Sequence, residues 1–492
     1  MSQLKSLEAF RPAYHFTPPS NWMNDPNGMV YYKGEYHLFY QHHPDGLTWG
    51  PMHWGHAVSR DLVHWHHRPI ALAPDEHGTI FSGSVVVDWH DTTGFFDGGS
   101  GLVAIFTHND ENQAAGNLRQ RQSLAYSKDE GRTWMKYEGN PVLAEPLPDF
   151  RDPKVMWHES SSRWVMVVAA GDHVRLYVSP NLIEWSLTGT FGAKDGSHEG
   201  VWECPDLFEL PVGESGERKW VLIVSIGDHP DYPEGSRTQY FIGEFDGRTF
   251  SNDHSPETVL WLDYGRDNYA GVTWSDVPEE DGRRLFIGWM SNWKYANLTP
   301  TPGWRGAMTV PRELALRRGE DGIRLFQRPV RELERLRRDG KQWRDVRVGP
   351  EHPFAPAVPL EQMDIRAVLR PGNAVETGIR LRSSNGGHTT IGYDSRNQVL
   401  FIDRSGSGLT DFHPQFACRH ETELRLDNGL VELRILVDRC SVEVFANDGQ
   451  IAMTDLVFPE GNVLGVEGYA AGGQTKFEYL EIFNMNLLND EA

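Results

Sequence analysis

Cysteine is almost absent: Cys204, Cys418 and Cys440 are the only three in 492 residues. Three scattered thiols cannot build a disulfide framework or a cysteine-based zinc site, and they fit a reducing compartment. Long apolar runs are missing as well. Residues 165–170 make a strand-length stretch of six, far below the roughly 18 that suggest a membrane span. Residues 1–8 lack the cationic head and apolar stretch of a secretory signal, which predicts a cytoplasmic protein, or a secreted one if a leader has been removed. Positive charge is in deficit too, with 47 basic against 69 acidic residues and a net charge of −22. Such a surface repels phosphate backbones and anionic lipid, which argues against nucleic acid and membrane as partners. Neutral small molecules and polymers remain.

The chain is instead rich in aromatics, and they divide it. Of 17 tryptophans, 16 lie between Trp22 and Trp304, and 12 of 21 histidines precede residue 110. At 492 residues the chain exceeds the size of one core, so two domains are expected. The boundary belongs after Pro329, where Leu333 and Leu336 sit on one face of a charged stretch ended by Asp339-Gly340. The division reads as a domain over 1–328, a helical linker over 329–345 and a second domain over 346–492. Past the linker, period-two stretches such as 431–437 and 441–445 alternate with turn residues, the pattern of a β-sandwich. The first domain carries a loose repeat. Ser59-Arg60-Asp61-Leu62 leads to Trp65, Ser127-Lys128-Asp129 to Trp134, Ser179-Pro180-Asn181-Leu182 to Trp185, and Phe245-Asp246-Gly247 to Phe250. The spacing is about 62 residues, so this domain holds about five units and predicts an all-β fold led by a five-bladed β-propeller.

Three acidic motifs carry the chemistry. In Trp22-Met23-Asn24-Asp25-Pro26-Asn27-Gly28, Pro26 pushes Asp25 toward extended geometry and Asn27-Gly28 makes a turn. A rigid carboxylate beside an indole and an amide suits a nucleophile or a sugar clamp, although for the motif taken alone an ordinary Asx-turn is the better reading. In Phe150-Arg151-Asp152-Pro153 a guanidinium adjoins a second fixed carboxylate and can hold it ionised; taken alone, a strand-entry salt bridge suffices. In Val201-Trp202-Glu203-Cys204-Pro205-Asp206, Glu203 has few polar neighbours on its immediate flanks. Desolvation there would favour its neutral, proton-donating form, and Asp206 competes for the same role. Recurring in different blades, the three motifs can converge on an axial channel. Carboxyls about 5–5.5 Å apart make a retaining glycosidase and about 6.5–9.5 Å an inverting one.

Together with Phe39-Tyr40-Gln41, Trp49-Gly50-Pro51-Met52-His53-Trp54-Gly55-His56 and Phe81-Ser82-Gly83-Ser84, these motifs resemble glycoside hydrolase family 32, the family of invertases, inulinases and levanases. The second domain resembles the family's β-sandwich module. The stretches 49–59 and 81–84 are most similar to bacterial levanases and exo-inulinases, and His43 departs from the asparagine many members carry there. The resemblance implies a five-bladed propeller and a retaining exo-β-fructosidase that needs no cofactor and no metal. Asp25 would attack C2 of a terminal β-fructofuranosyl unit of sucrose, fructo-oligosaccharide, inulin or levan. Glu203 would protonate the leaving oxygen and then activate water, while Asp152 would hydrogen-bond ring hydroxyls. Trp22, Asn24, Gln41, Trp49, Phe81, Ser82 and Arg151 would bind substrate, with Trp293 closing the pocket unless Trp289 does so. The alternatives are a fructosyltransferase sharing the covalent intermediate, an inverting propeller hydrolase and a non-catalytic sugar-binding propeller. The histidines at 53, 56, 64, 66 and 67 read as packing, and Cys204 as a small buried neighbour of Glu203.

Overall fold

A computed structural model describes residues 8, 10–111, 119–358, 361–461 and 464–486. Strands account for nearly all of its regular structure. Residues up to Pro329 form five antiparallel sheets of four or five strands. Their first strands are Asn21–Tyr32, Thr79–Asp88, Phe150–His158, Trp202–Pro211 and Tyr269–Thr273, and these touch one another in cyclic order around an axis. A five-bladed propeller results, with blades numbered 1 to 5 in chain order. Between each pair of neighbouring blades lies one apolar layer, such as Phe39 and Trp54 of blade 1 against Val85 and Phe106 of blade 2. Each sheet is thus buried on both faces, which explains the near-continuous burial of 101–109. Trp304–Arg305, between the second and third strands of blade 5, pairs in parallel with Asn21 and Trp22 and clasps the ring shut at blade 1.

The tryptophan repeat has a concrete cause. In each of blades 1 to 3 it forms the turn into the outermost strand. Asp61, Asp129 and Asn181 each accept backbone N–H groups of the turn. The indoles of Trp65, Trp134 and Trp185 each donate to the carbonyl three residues earlier. Leu62, Gly131 and Leu182 provide the left-handed backbone at φ 65°, 79° and 63°. Blade 4 keeps the Asx-turn at Asp246 and replaces the indole by Phe250.

The second domain is a sandwich of a six-stranded and a five-stranded sheet around an apolar core that includes Ile365, Ile391, Leu433 and Phe477. The linker read as helical over 329–345 is helical only over its first part. A 3-10 helix spans Arg331–Leu336, and the chain passes at once into the strand Arg337–Val348, paired with Thr475–Met485. Leu333 and Leu336, three residues apart, fit the 3-10 period as well as the α period. Asp339-Gly340, read as a helix stop, is the bulge of that strand. Buried charge joins the two domains. Arg312 reaches Asp263 at 3.0 Å and Glu443 at 2.5 Å, while His15 bridges Asp438 and Glu443 at 2.8 Å each. Removing one partner from such a buried network costs about 3–5 kcal/mol.

Candidate active site

All five first strands break register near their N-terminal ends. The irregularities fall between Met23 and Pro26, Phe81 and Gly83, Arg151 and Lys154, Glu203 and Asp206, and Tyr269 and Val272. A bulge leaves a residue outside the ladder and re-aims its side chain. The residues so released include Asn24 and Asp25, Ser82, Asp152 and Cys204. Asp152 and Cys204 hold left-handed backbone at φ 63° and 46°, a strain of about 1–3 kcal/mol per non-glycine residue of the kind that persists at functional sites. Each proline in the motifs sits at a bulge, where its missing N–H costs no ladder bond.

The bulges open on a cavity of about 700 Å³ lined by Asn24, Asp25, Gln41, Trp49, Phe81, Ser82, Arg151, Asp152, Glu203 and Trp293, together with Arg119, Gln120 and residues 146–149. Trp22 Nε1 donates to Asn24 Oδ1 at 2.7 Å, which orients the amide so that Asn24 Nδ2 donates to Asp25 Oδ1 at 2.9 Å. Ser82 Oγ donates to Asp25 Oδ2 at 2.8 Å. Burial first and the charge of Glu203 second raise the Asp25 carboxyl, against the pull of these donors. Asp152 Oδ2 accepts the Cys204 amide at 3.0 Å. Burial, followed by Glu203 and Asp25, pushes Asp152 up to about 7 although Arg151 opposes the change. The Cys204 thiol lies 3.6 Å from both Asp25 Oδ2 and Asp152 Oδ2. Burial and those carboxylates raise it well above its ordinary value, so it stays protonated as a donor to the pair.

Glu203 is not in the apolar setting its sequence neighbours suggest. Arg151 donates to its Oε1 through Nε at 3.1 Å and Nη2 at 2.8 Å, and the Tyr269 hydroxyl donates to its Oε2. Both partners come from other blades. Asp206, the rival for its role, is fully buried beneath the cavity, 3.4 Å from Lys154 Nζ and bonded to the Thr273 amide.

One binding residue is corrected. Trp22 is fully buried and absent from the cavity wall, where it holds Asn24 and stacks under Trp293 at 5.9 Å. Trp293 lines the cavity, whereas Trp289 is core. Trp49, 40% exposed, stands at the rim edge-on to Phe81. Gln41 Nε2 is buried with no partner among the described residues, a donor free for a ligand oxygen. Tyr269, Gln120 and Asp149 were missed because no local motif surrounds them. The five-fold bulge was the available signal for Tyr269, and only alignment of the blades reveals it.

The site can therefore present three clustered carboxyls, Asp152 buried and Asp25 and Glu203 partly exposed, with Glu203 fixed by a guanidinium and a phenol, to a neutral polyol between two tryptophans. Comparisons with known proteins agree with this description. Residues 15–329 match the family model "Glycosyl hydrolases family 32 N-terminal domain" and 332–484 its C-terminal counterpart. A levanase of Bacillus subtilis (strain 168) is 54% identical over 482 residues, 96% of this chain and 70% of its own length. A levanase of Bacillus sp. (strain L7) is 43% identical, covering 99% of this chain and 53% of its own. Among solved structures, an exo-inulinase from Aspergillus awamori superposes with a TM-score of 0.88 at 35% identity, covering 97% of this chain and 98% of its own.

Proposed function

This chain belongs to glycoside hydrolase family 32, and from that premise we propose that it is a retaining exo-β-fructosidase. It is a glycoside hydrolase of the fructan-cleaving kind. The observation that carries the finer reading is the convergence of Asp25, Asp152 and Glu203 on one cavity wall. Asp25, held by three donors, is the nucleophile on C2 of the terminal fructosyl unit. A carboxylate already oriented by Asn24 and Ser82 meets little reorganisation cost as the bond forms. Glu203 gives its proton to the leaving oxygen and, in the second step, takes one from the attacking water. Arg151 and Tyr269 keep its carboxyl in place through both steps. Asp152 binds the ring hydroxyls and opposes the positive charge that develops at the anomeric carbon. Trp293 and Phe81 offer apolar faces to the sugar, and Gln41 Nε2 a donor to a hydroxyl.

Fructose release from sucrose, inulin and levan, measured side by side, tests the substrate class. Proton NMR of the first-released fructose tests the stereochemistry: β-fructofuranose supports retention, and its α anomer would exclude it. If fructo-oligosaccharides exceed free fructose at high sucrose, the enzyme is a transferase with the same intermediate.

A further inference from the structure

Trp49 stands at the mouth of the catalytic cavity on an irregular stretch, 44–52, between the blade 1 strands Glu35–His43 and His53–Ser59. No ladder holds such backbone, so its position depends on anchors. Three reach it from outside. Trp22 N–H donates to Gly46 O at 2.9 Å, Arg305 Nη1 to Leu47 O at 2.8 Å, and Trp49 N–H to Asn297 Oδ1 at 3.0 Å. Arg305 Nη1 also donates to Asn297 O at 2.5 Å, which fastens the loop to the 3-10 helix Ala296–Leu298. Inside the loop stands the half-buried ring of His43. Its Nδ1 lies 2.9 Å from Thr48 O. A carbonyl only accepts, so Nδ1 carries the hydrogen whether the ring is neutral or charged. A Cβ on Gly46 or on Gly50 would come to 2.5 Å from His43 Cε1, well inside a carbon–carbon contact. The imidazole therefore fills the loop from side to side, and the two glycines make room for it.

Depth orders a substrate in this cavity. Asp152 is buried, Glu203 is partly exposed, and Trp49 is exposed at the rim. A terminal fructosyl unit goes deepest, beside Asp25 and Asp152, and the leaving sugar lies toward the mouth, within reach of Trp49. We propose that His43 is a positioning residue for this reaction: it packs the loop so that the Trp49 indole stays fixed against the leaving sugar, and so sets how well large leaving groups are held relative to small ones. The substrate class is that of the function proposed above; the clamp on the loop is seen without it. An indole fixed in advance costs less to order when the sugar arrives. A contact made equally in the ground and transition states acts on KM with kcat unchanged.

The test compares methyl β-D-fructofuranoside, whose leaving group is too small to reach the rim, with an inulin-type trisaccharide. His43→Ala should lower kcat/KM on the trisaccharide about fivefold or more, carried by KM, and leave the methyl glycoside within about twofold. His43→Gln, whose Nε2 can donate to Thr48 O, should recover part of the loss. In a double-mutant cycle the His43→Ala loss should vanish in the Trp49→Ala background, because a residue acting through the indole has nothing left to position. An unchanged trisaccharide rate, equal losses on both substrates, or losses that multiply in the double variant would overturn the assignment. If His43→Ala does not fold, Asn297→Ala, which releases the Trp49 N–H from the other side, decides by the same ratio and the same cycle. If the enzyme cleaves neither substrate, the proposed function fails, and titration of the trisaccharide into Asp25→Ala protein reads the clamp through Kd in the same cycle; absence of binding there would overturn the clamp as well.

Discussion

Asp152→Asn separates catalysis from stability, and the structure sets both signs. The Asp152 carboxyl is buried, and its pKa is raised from 3.8 to about 7. Below pH 4 it is protonated whether the chain is folded or not. Between about 4 and 7 the unfolded chain releases a proton that the folded protein keeps, so this group's contribution to stability falls as pH rises. Above about 7 the loss is complete, and the interval corresponds to about 4 kcal/mol, an upper bound because the site relaxes. An amide of the same shape still accepts the Cys204 N–H and carries no charge to desolvate. The variant should therefore melt several degrees above the parent at pH 8 and with it at pH 4. Its kcat should fall at least about a hundredfold, since the lost negative charge stabilises the positive transition state. Thermal melts across pH 4–8 beside hydrolysis rates read both effects. A variant less stable at every pH, or one whose advantage does not change with pH, would refute the assignment of Asp152 as a strained, functional carboxyl.

Other perturbations have equally definite outcomes. Glu203→Ala should lose several orders of magnitude in kcat with the fold intact, and azide should restore part of the rate on a substrate with a good leaving group; no rescue would remove its acid role. Tyr269→Phe takes one donor from the Glu203 carboxylate, and a charged hydrogen bond of about 1.5–3 kcal/mol predicts a loss of tenfold or more in kcat, read by steady-state kinetics. His15, held between Asp438 and Glu443, is raised to about 9 in spite of its burial. Its stabilisation is complete below about 6.5 and is lost as pH rises to about 9, so the gap in Tm between the parent and His15→Gln should shrink between about pH 6.5 and 9 and change no further above that. Gly28 has φ +59° and a Cβ there would lie 2.7 Å from the Phe39 ring and 2.9 Å from Trp54. Gly28→Ala should cost about 3 kcal/mol in a denaturant titration, from backbone strain plus overpacking.

The propeller was legible because its repeat is local. A serine, an Asx residue and a tryptophan within seven positions are enough to build the turn into an outer strand, and the turn needs nothing from other blades. Alternating residues over 431–437 likewise identified the sandwich. The segment from Arg331 misled because a charged stretch with two leucines three apart suits either helix type, and the pairing partner of Arg337–Val348 lies at the far end of the chain. Trp22 was assigned to the substrate for a similar reason. An indole beside a reactive carboxylate looks the same in a sequence whether its face is free or covered by Trp293.

What the sequence determined by itself was the stock of parts: the acidic groups beside prolines, the aromatic strands, the division into two domains. The tertiary structure decided which parts meet. Cys204 and Asp25 are 179 residues apart in the chain and in contact at 3.6 Å from Sγ to Oδ2, because a closed ring of sheets places five strand ends around one axis and a bulge in each turns its side chain inward. Arg151 and Tyr269 reach Glu203 from two further blades, so the surroundings of that carboxyl are a property of the closed ring, and no window along the chain contains them.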